Sequence, residues 1–460
     1  MEFTMKASIR SKVLKKITPS QAEQKKVEIF SDNLMKKAKE ISILHIDGKA
    51  VSLSCHFAGS LGKGTWLSGD HDIDLFIVFP HSVQREELEK RGMEIGTKLA
   101  SAINGKAQIK YAEHPYVKIT AKGYSIDAVP CYEMKMGDSI KSAVDRSPLH
   151  LEFVKQNIGG KEADARLLKK FCKAAGVYGS DAKHLGISGY ICELLIIKYG
   201  SFDNAIKEIS KLHPGHIIEW KHIIDKNKFD GQPFVVIDPV DHTRNAASVM
   251  SGENFIKLVE TAKEFLKKPS LSFFEMPKKI PLGSKEINIM IKRKTFFAVV
   301  CFKRPDVIDD IAYPQARRLR DRLESLLRHN EFLPLHAYEY VDDKIICIIL
   351  ELEIWSLPAV KRMPGPPIFS QKHTGEFISK YGKNAYAMDN FWYSDVQRKF
   401  EHAGDVLKDF FKNGSGEQGV PKYLLEESKK AKIISGNDFW KFVKRNKLLS
   451  AQLREHYVRG

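Results

Sequence analysis

A chain of 460 residues with 43% hydrophobic content is long enough for two to four domains and carries enough apolar side chains to give each a core. Lys and Arg number 74 against 57 Asp and Glu, a net charge of +17, which points to polyanionic partners, nucleic acid before anionic membrane. Six cysteines without a C-x-x-C pair argue against a zinc site or a disulfide scaffold, and no apolar run approaches the ~20 residues that span a bilayer, so a cytoplasmic protein is expected.

Residues 1–17 are basic and weakly periodic, and are expected as a loosely held extension outside the catalytic unit. Thr18-Pro19-Ser20-Gln21 reads as a helix start, with Thr18 as cap and Pro19 at the first helical position. Val27, Phe30, Leu34, Ala38 and Ile41 follow as its buried stripe. Strands are expected at 52–57, 72–79, 107–112, 116–121 and 124–129, with a helix at about 86–103 and a tight turn at Lys122-Gly123-Tyr124. Residues 18–150 therefore read as an α/β catalytic head.

From 151 to 270 the spacing is helical, with Leu167, Leu168, Phe171 and Ala175 on one stripe and Leu258, Ala262 and Phe265 on another. One short strand at 234–237 interrupts it, followed by a turn at Asp238-Pro239-Val240-Asp241, so this segment is expected as a helical neck. Prolines at 269 and 277 mark a boundary. Beyond it a strand (295–302), a helix (314–328) and a hairpin (335–354, turning at Asp342-Asp343) give the β-α-β-β order of a small ferredoxin-like or RNA-recognition-like body over 271–357. Pro358 to Pro367 then leads into a Lys-rich, mostly helical tail, 358–460. The fold class is α/β (α+β), multidomain.

The chemistry gathers near the first strands. An acid-x-acid pair means little alone, because a chain this acidic holds about 7 such pairs by chance. Asp72 and Asp74, however, open an apolar strand, and the period of two aims both carboxylates to one face at one strand end. Twelve residues upstream stand Gly59-Ser60, with Lys63 close behind, in a run of small residues whose amides can approach a polyphosphate. Asp127, on a later strand, completes an acidic trio. Three carboxylates at one sheet edge repel one another unless cations neutralise them, which points to two Mg²⁺ ions, one for a 3′-hydroxyl and one for a triphosphate.

Gly-Ser, then Asp-x-Asp, then a third Asp resembles the polymerase-beta nucleotidyltransferase superfamily. The runs Ala112-Glu113-His114-Pro115-Tyr116-Val117, Ile140 to Arg146, Ile187 to Leu195, and Ile237-Asp238-Pro239-Val240-Asp241 through Arg244-Asn245 resemble, more narrowly, the archaeal (class I) CCA-adding enzymes. The likeness is clearest from His56 to Phe274, continues to Gln315 and weakens in the tail. It implies template-independent addition of C, C and A to the tRNA 3′ end from CTP and ATP, with repair of such ends, by a head, neck, body and tail. It implies catalytic and metal-binding roles for Asp72, Asp74 and Asp127. It also puts Gly59, Ser60, Lys63, His150, Lys169 and Tyr178 in the nucleotide pocket and Arg244 at the base. This sequence departs from the family's usual pattern at Lys63, Asp72 and Ser147, where Arg, Glu and Thr are usual; Lys63 has no planar fork for a bidentate phosphate contact.

Taken singly these residues have plainer readings: Lys169 as a solvated helix face, Arg244 as an ion pair with Asp238 or Asp241. Arg304, Arg317, Arg318, Lys361 and Arg362 could track tRNA phosphates, although a charge run is usually a solvated face. The expected partners are the tRNA acceptor stem and 3′ end, CTP and ATP, with no membrane and with a homodimer left open. A poly(A) polymerase and a non-catalytic RNA-binding relative are the alternatives.

Overall fold

The run Asp72–Phe79 is apolar at every position after Asp74, as a strand covered on both faces must be, and it becomes a central strand. The computed structural model describes residues 4–46, 49–111, 115–134, 144–220, 225–412 and 419–457. The end of the expected 107–112 strand and the motif residues 112–114 and 140–143 lie outside these. The chain divides into two compact units, Met1–Pro277 and Lys278–Gly460.

The first unit opens with helices α1 (Ala7–Ile17) and α2 (Gln21–Ile41), followed by a β1–β2 hairpin (Ile43–Ile46, Lys49–Ser52). β3 (Ser54–Phe57), the short α3 (Gly59–Gly62), β4 (Asp72–Phe79), α4 (Arg85–Ala102), β5 (Lys106–Tyr111), β6 (Pro115–Ala121) and β7 (Tyr124–Tyr132) build the head. Its five strands run β3-β4-β7-β6-β5; β4 and β7 are parallel and the other pairs antiparallel. Lys122 and Gly123 both take positive φ (49° and 84°), which closes the expected two-residue hairpin. Leu75, Ile77 and Phe79 point to one face and pack with Leu34 and Ala38 of α2 and with Leu88, Ile95 and Leu99 of α4.

Two expectations change here. The cap of α2 is Ser20, whose hydroxyl accepts from the Glu23 amide at 3.2 Å, so the helix starts later than a Thr18 cap would place it. Residues 1–17 are no loose extension. Met5, Val13 and Ile17 are buried and Ile9 packs beside them, an i, i+4 stripe that the surrounding lysines obscure, and Arg10 pairs with Asp164 at 2.5 Å.

The neck contains α5 (Arg146–Asn157), α6 (Glu162–Ala175), α7 (Gly189–Tyr199), α8 (Phe202–Ile209) and α9 (Gly252–Lys267). The one expected strand gains two partners, giving a sheet of order β10-β9-β8 from β8 (His216–Ile218), β9 (Phe234–Asp238) and β10 (Asp241–Asn245). Phe171 sits at the centre of an aromatic cluster with Phe202, Phe265, Phe273 and Phe274, so residues 271–277 belong to the neck and the first unit ends later than the expected 270.

In the second unit α10 (Ser284–Lys292), β11 (Phe296–Lys303), α11 (Asp309–His329), β12 (Leu333–Val341) and β13 (Ile345–Ile354) reproduce the expected β-α-β-β order. Asp342 turns the hairpin by accepting from the Lys344 and Ile345 amides at 2.7 and 2.8 Å. The expected single tail divides in two. β14 (Val360–Pro367), α12 (Gln371–Tyr381), β15 (Ala385–Met388) and β16 (Phe391–Gln397) carry their own three-stranded sheet. α13 (Ala403–Lys412), α14 (Leu425–Ser428), β17 (Lys432–Ser435), α15 (Asn437–Arg445) and α16 (Lys447–Tyr457) return to the body, where β17 pairs with β11 and closes the sheet β12-β13-β11-β17. Leucines and alanines of α11 cover one face of that sheet, and Phe439, Val443 and Leu453 the other.

Truncating a fully buried aromatic leaves a void that a closely packed core refills only in part. Phe171→Ala is therefore expected to destabilise the first unit by about 3–5 kcal/mol, read as a lowered melting transition in a calorimetric scan while the second unit's transition stays in place.

Candidate active site

Parallel pairing of β4 with β7 sets the register Asp72↔Ser125 and Asp74↔Asp127, so two carboxylates stand side by side on neighbouring strands. Asp72 lies two residues outward and is exposed, while Asp74 and Asp127 are half-buried. Burial, first, and then the charge of Asp127 push the Asp74 carboxyl up to about 6, with Lys63 opposing and Asp72 adding. Asp127 is raised as well, by burial first, with Lys118 pulling it down and Asp72 pushing it up. Its Oδ1 is buried without a hydrogen-bond partner; Lys118 Nζ stands 3.7 Å away.

Gly59 meets this pair directly. Its φ is +56°, and a Cβ built on it would fall 1.7 Å from Oδ2 of Asp74, so both the backbone conformation and the carboxylate demand glycine. The Ala58 amide donates to the Asp74 carbonyl at 2.9 Å, and the Thr65 amide to the Ser60 carbonyl at 3.0 Å, which folds residues 59–65 into a compact loop over the strand ends. Arg166 of α6 donates to the carbonyls of Gly64 (2.6 Å) and Trp66 (2.9 Å) and fastens that loop to the neck.

Behind the loop lies a buried charge cluster that the sequence reading did not find. Glu193, on α7, is 1% exposed; its Oε2 takes Lys63 Nζ at 2.9 Å, and its Oε1 takes Lys169 Nζ at 2.7 Å and the Thr65 hydroxyl at 2.5 Å. Burial alone would raise this carboxyl, but the charges of Lys169 and Lys63 outweigh it and hold Glu193 at about 2. Two cations share one anion, so the cluster keeps a surplus positive charge next to the glycine-rich loop. Lys169, 2% exposed, is thus neither a solvated lysine nor one whose ammonium reaches the surface. Tyr178 is half-buried, with Lys173 Nζ 5.2 Å over its ring and that same ammonium 2.7 Å from Asp70.

A second buried anion organises the far side. Asp238, wholly buried at the end of β9, holds His150 Nε2 and Arg244 Nη1, each at 2.9 Å, and the Tyr190 hydroxyl at 3.0 Å. The His150 ring stacks on Tyr190 at 4.0 Å, and burial lowers its pKa despite the Asp238 bond. Asp241 turns instead to Arg146, at 2.9 Å. A buried carboxylate survives only with several donors around it, and an Asp in a Pro-containing turn gives no sequence hint that it will be buried.

The structure thus brings together Gly59, Asp74 and Asp127, and separately Lys63 with Lys169 and His150 with Arg244. Among the described residues no three His, Cys, Asp or Glu side chains converge on a point that would hold an ion. The donor set nevertheless suits a hard divalent cation: all oxygens, mutually repelling, one of them buried and unsatisfied. In the second unit Arg304 is spent on Asp309 and the Val307 carbonyl, Arg317 on Glu339 and Lys361 on Glu331, whereas Arg318 and Arg362 are exposed.

A glycine-bent loop above in-register carboxylates, backed by a helical neck that supplies buried cations, defines a nucleotidyltransferase. Residues 49–150 match the family model of the nucleotidyltransferase domain, 163–275 that of the tRNA nucleotidyltransferase second domain, and 293–436 that of the CCA-adding enzyme C-terminal domain. The CCA-adding enzyme of Methanocaldococcus jannaschii is 36% identical over 440 residues, 93% of this chain and 95% of the relative. That of Methanosarcina acetivorans is 37% identical (88% and 89% covered), and that of Archaeoglobus fulgidus 33% (89% and 95%). The chain belongs to the archaeal CCA-adding enzymes, tRNA nucleotidyltransferases that add CCA to the 3′ end of tRNA. No described helix is long and apolar enough to cross a membrane.

Gly59→Ala is expected to lower kcat/KM at least ~100-fold, because the added methyl must displace Asp74, while far-ultraviolet circular dichroism stays unchanged. Asp74 also yields a pH signature. Its carboxyl is raised from an unfolded value near 4 to about 6, so ionising it costs the metal-free fold nothing below pH ~4 and the full penalty above pH ~6. Asp74→Asn should stabilise the protein in EDTA at pH 8 by about 1–3 kcal/mol and lose that gain at pH 4; equal melting shifts at both pH values would contradict the assignment.

Proposed function

We propose that this chain transfers C, C and A in turn from CTP and ATP to the 3′-hydroxyl of tRNA, and restores damaged tRNA ends, with Asp72, Asp74 and Asp127 as ligands of two Mg²⁺ ions. The observation that carries the reading is the Asp74↔Asp127 register beneath Gly59: two hard-oxygen donors forced together against their own repulsion. The bound magnesium ions would supply charge neutralisation for the triphosphate and acidify the attacking hydroxyl.

The chain's own residues do the rest. Asp127 would take the hydroxyl proton; its Oδ1 makes no hydrogen bond, with Lys118 Nζ 3.7 Å away. The attacking oxygen forms a bond to the α-phosphorus, the bond to the bridging oxygen breaks, and pyrophosphate leaves. Amides of the Gly59-Ser60 loop face the phosphates, and Lys63 swings from Glu193 to meet them, leaving Glu193 still compensated by Lys169. Lys169 acts through field and support, and Tyr178 and His150 close the pocket wall. Arg244, anchored at one nitrogen and one-third exposed, offers its remaining donors to the base edge. Exposed Arg318 and Arg362 contribute to the tRNA backbone surface, and the enzyme works in the cytoplasm beside its substrate.

Product composition tests the reading. With tRNA lacking its last three nucleotides, CTP alone should add two residues and stop, and CTP with ATP should complete CCA; open-ended adenylate tails would indicate a poly(A) polymerase. Replacing Asp72 and Asp74 together by Ala should reduce pyrophosphate release below detection while tRNA affinity changes less than ~3-fold; surviving turnover would remove them from the metal site.

A further inference from the structure

We propose that Asp238 is a positioning residue for nucleotide selection: it holds Arg244 and His150 in one fixed arrangement, with Tyr190 as its brace. This rests on the reading of Arg244 as the side chain that meets the base. Asp238 itself is too deeply buried to touch a nucleotide, at 0% exposure.

Four donors surround its two oxygens. Oδ2 takes Arg244 Nη1 and His150 Nε2, both at 2.9 Å; Oδ1 accepts from the Tyr190 hydroxyl at 3.0 Å and the Val240 amide at 3.2 Å. A carboxylate has about four lone-pair sites, so this one is saturated and cannot turn without losing a bond. The donors come from α5, α7 and the β9–β10 hairpin, elements far apart in sequence that the neck core locks together. Tyr190 adds a mechanical link. Its ring stacks on His150 at 4.0 Å, and Lys63 Nζ lies 4.9 Å over the ring, so the phosphate side and the base side of the pocket share one rigid aromatic.

Fixing the guanidinium matters because of what it must refuse. A group that only donates can pair with N3 of cytosine or N1 of adenine, both acceptors, and meets an N–H at the same edge position of uracil or guanine. A free arginine would swing aside and tolerate the wrong base; one pinned through Nη1 cannot, and it also loses less entropy on binding the right one.

The test uses the full chain and tRNA ending before its CCA, with kcat and KM measured separately for CTP and UTP. Asp238→Asn should reduce the CTP-over-UTP ratio of kcat/KM ~10-fold or more, mainly through KM for CTP, and Tyr190→Phe should reduce it ~2–5-fold. Arg244→Ala should collapse the ratio, and adding Asp238→Asn to it should cause no further loss, since the two act as one unit. If Arg244→Ala leaves the ratio intact, the base-reading assignment is wrong. If Arg244→Ala collapses it while Tyr190→Phe and Asp238→Asn preserve it, or if the double variant loses further selectivity, the positioning role of Asp238 is overturned. Tyr190→Phe keeps the half-buried ring, so it decides the matter even if Asp238→Asn does not fold.

Discussion

Two carboxylates that repel each other, Asp74 and Asp127, are held side by side by the parallel pairing of their strands, and much of the first unit can be understood as the means of keeping them there. Ionising both in a half-buried position opposes folding. The opposing force is apolar: Leu75, Ile77 and Phe79 of β4 are buried against α2 and α4 on one face, and Phe76 and Val78 are buried in a smaller apolar cluster on the other. Gly59, which has no side chain to spare for Asp74, is the point where backbone and charge are fitted to each other.

The neck answers the head with charge of its own. Glu193 and Asp238 are both wholly buried, and each gathers cations or polar hydrogens from elements that sequence separates by tens of residues. Burying an ion pair seldom adds stability compared with an apolar packing, so such clusters are better understood as fixing geometry. Glu193 holds two lysines in a space that would otherwise expel them; Asp238 holds an arginine and a histidine. One anion sits behind the Gly59–Thr65 loop and the other at the end of β9, and Tyr190 lies between them, under Lys63 and against His150.

The second unit follows a different logic. Its central sheet is closed by β17, a strand from the last part of the chain, so the body cannot be complete until the end of the chain arrives. The three-stranded sheet of β14, β15 and β16 stands as an insertion within it. Most of the arginines on α11 and around it are engaged by Glu339, Asp321 or Glu324, which is why a count of basic residues overstates the charge offered to phosphates.

Local sequence determined the elements and the chemical class. An unbroken apolar run placed β4 and the period of two put its two acids on one face, the Lys122-Gly123 turn set β7 behind β6, and helical stripes marked α2, α6 and α9, because these depend on side-chain period and turn chemistry alone. The amphipathic stripe of α1 was equally present at Met5, Ile9, Val13 and Ile17 but was masked by lysines. What only the tertiary structure decided were the meetings: Asp74 beside Asp127 rather than merely on the same face, Lys169 inward on Glu193, Arg244 pinned by Asp238, and β17 in the body sheet. Each is a pairing of groups distant along the chain, set by which faces the core buries, and no local spacing encodes it.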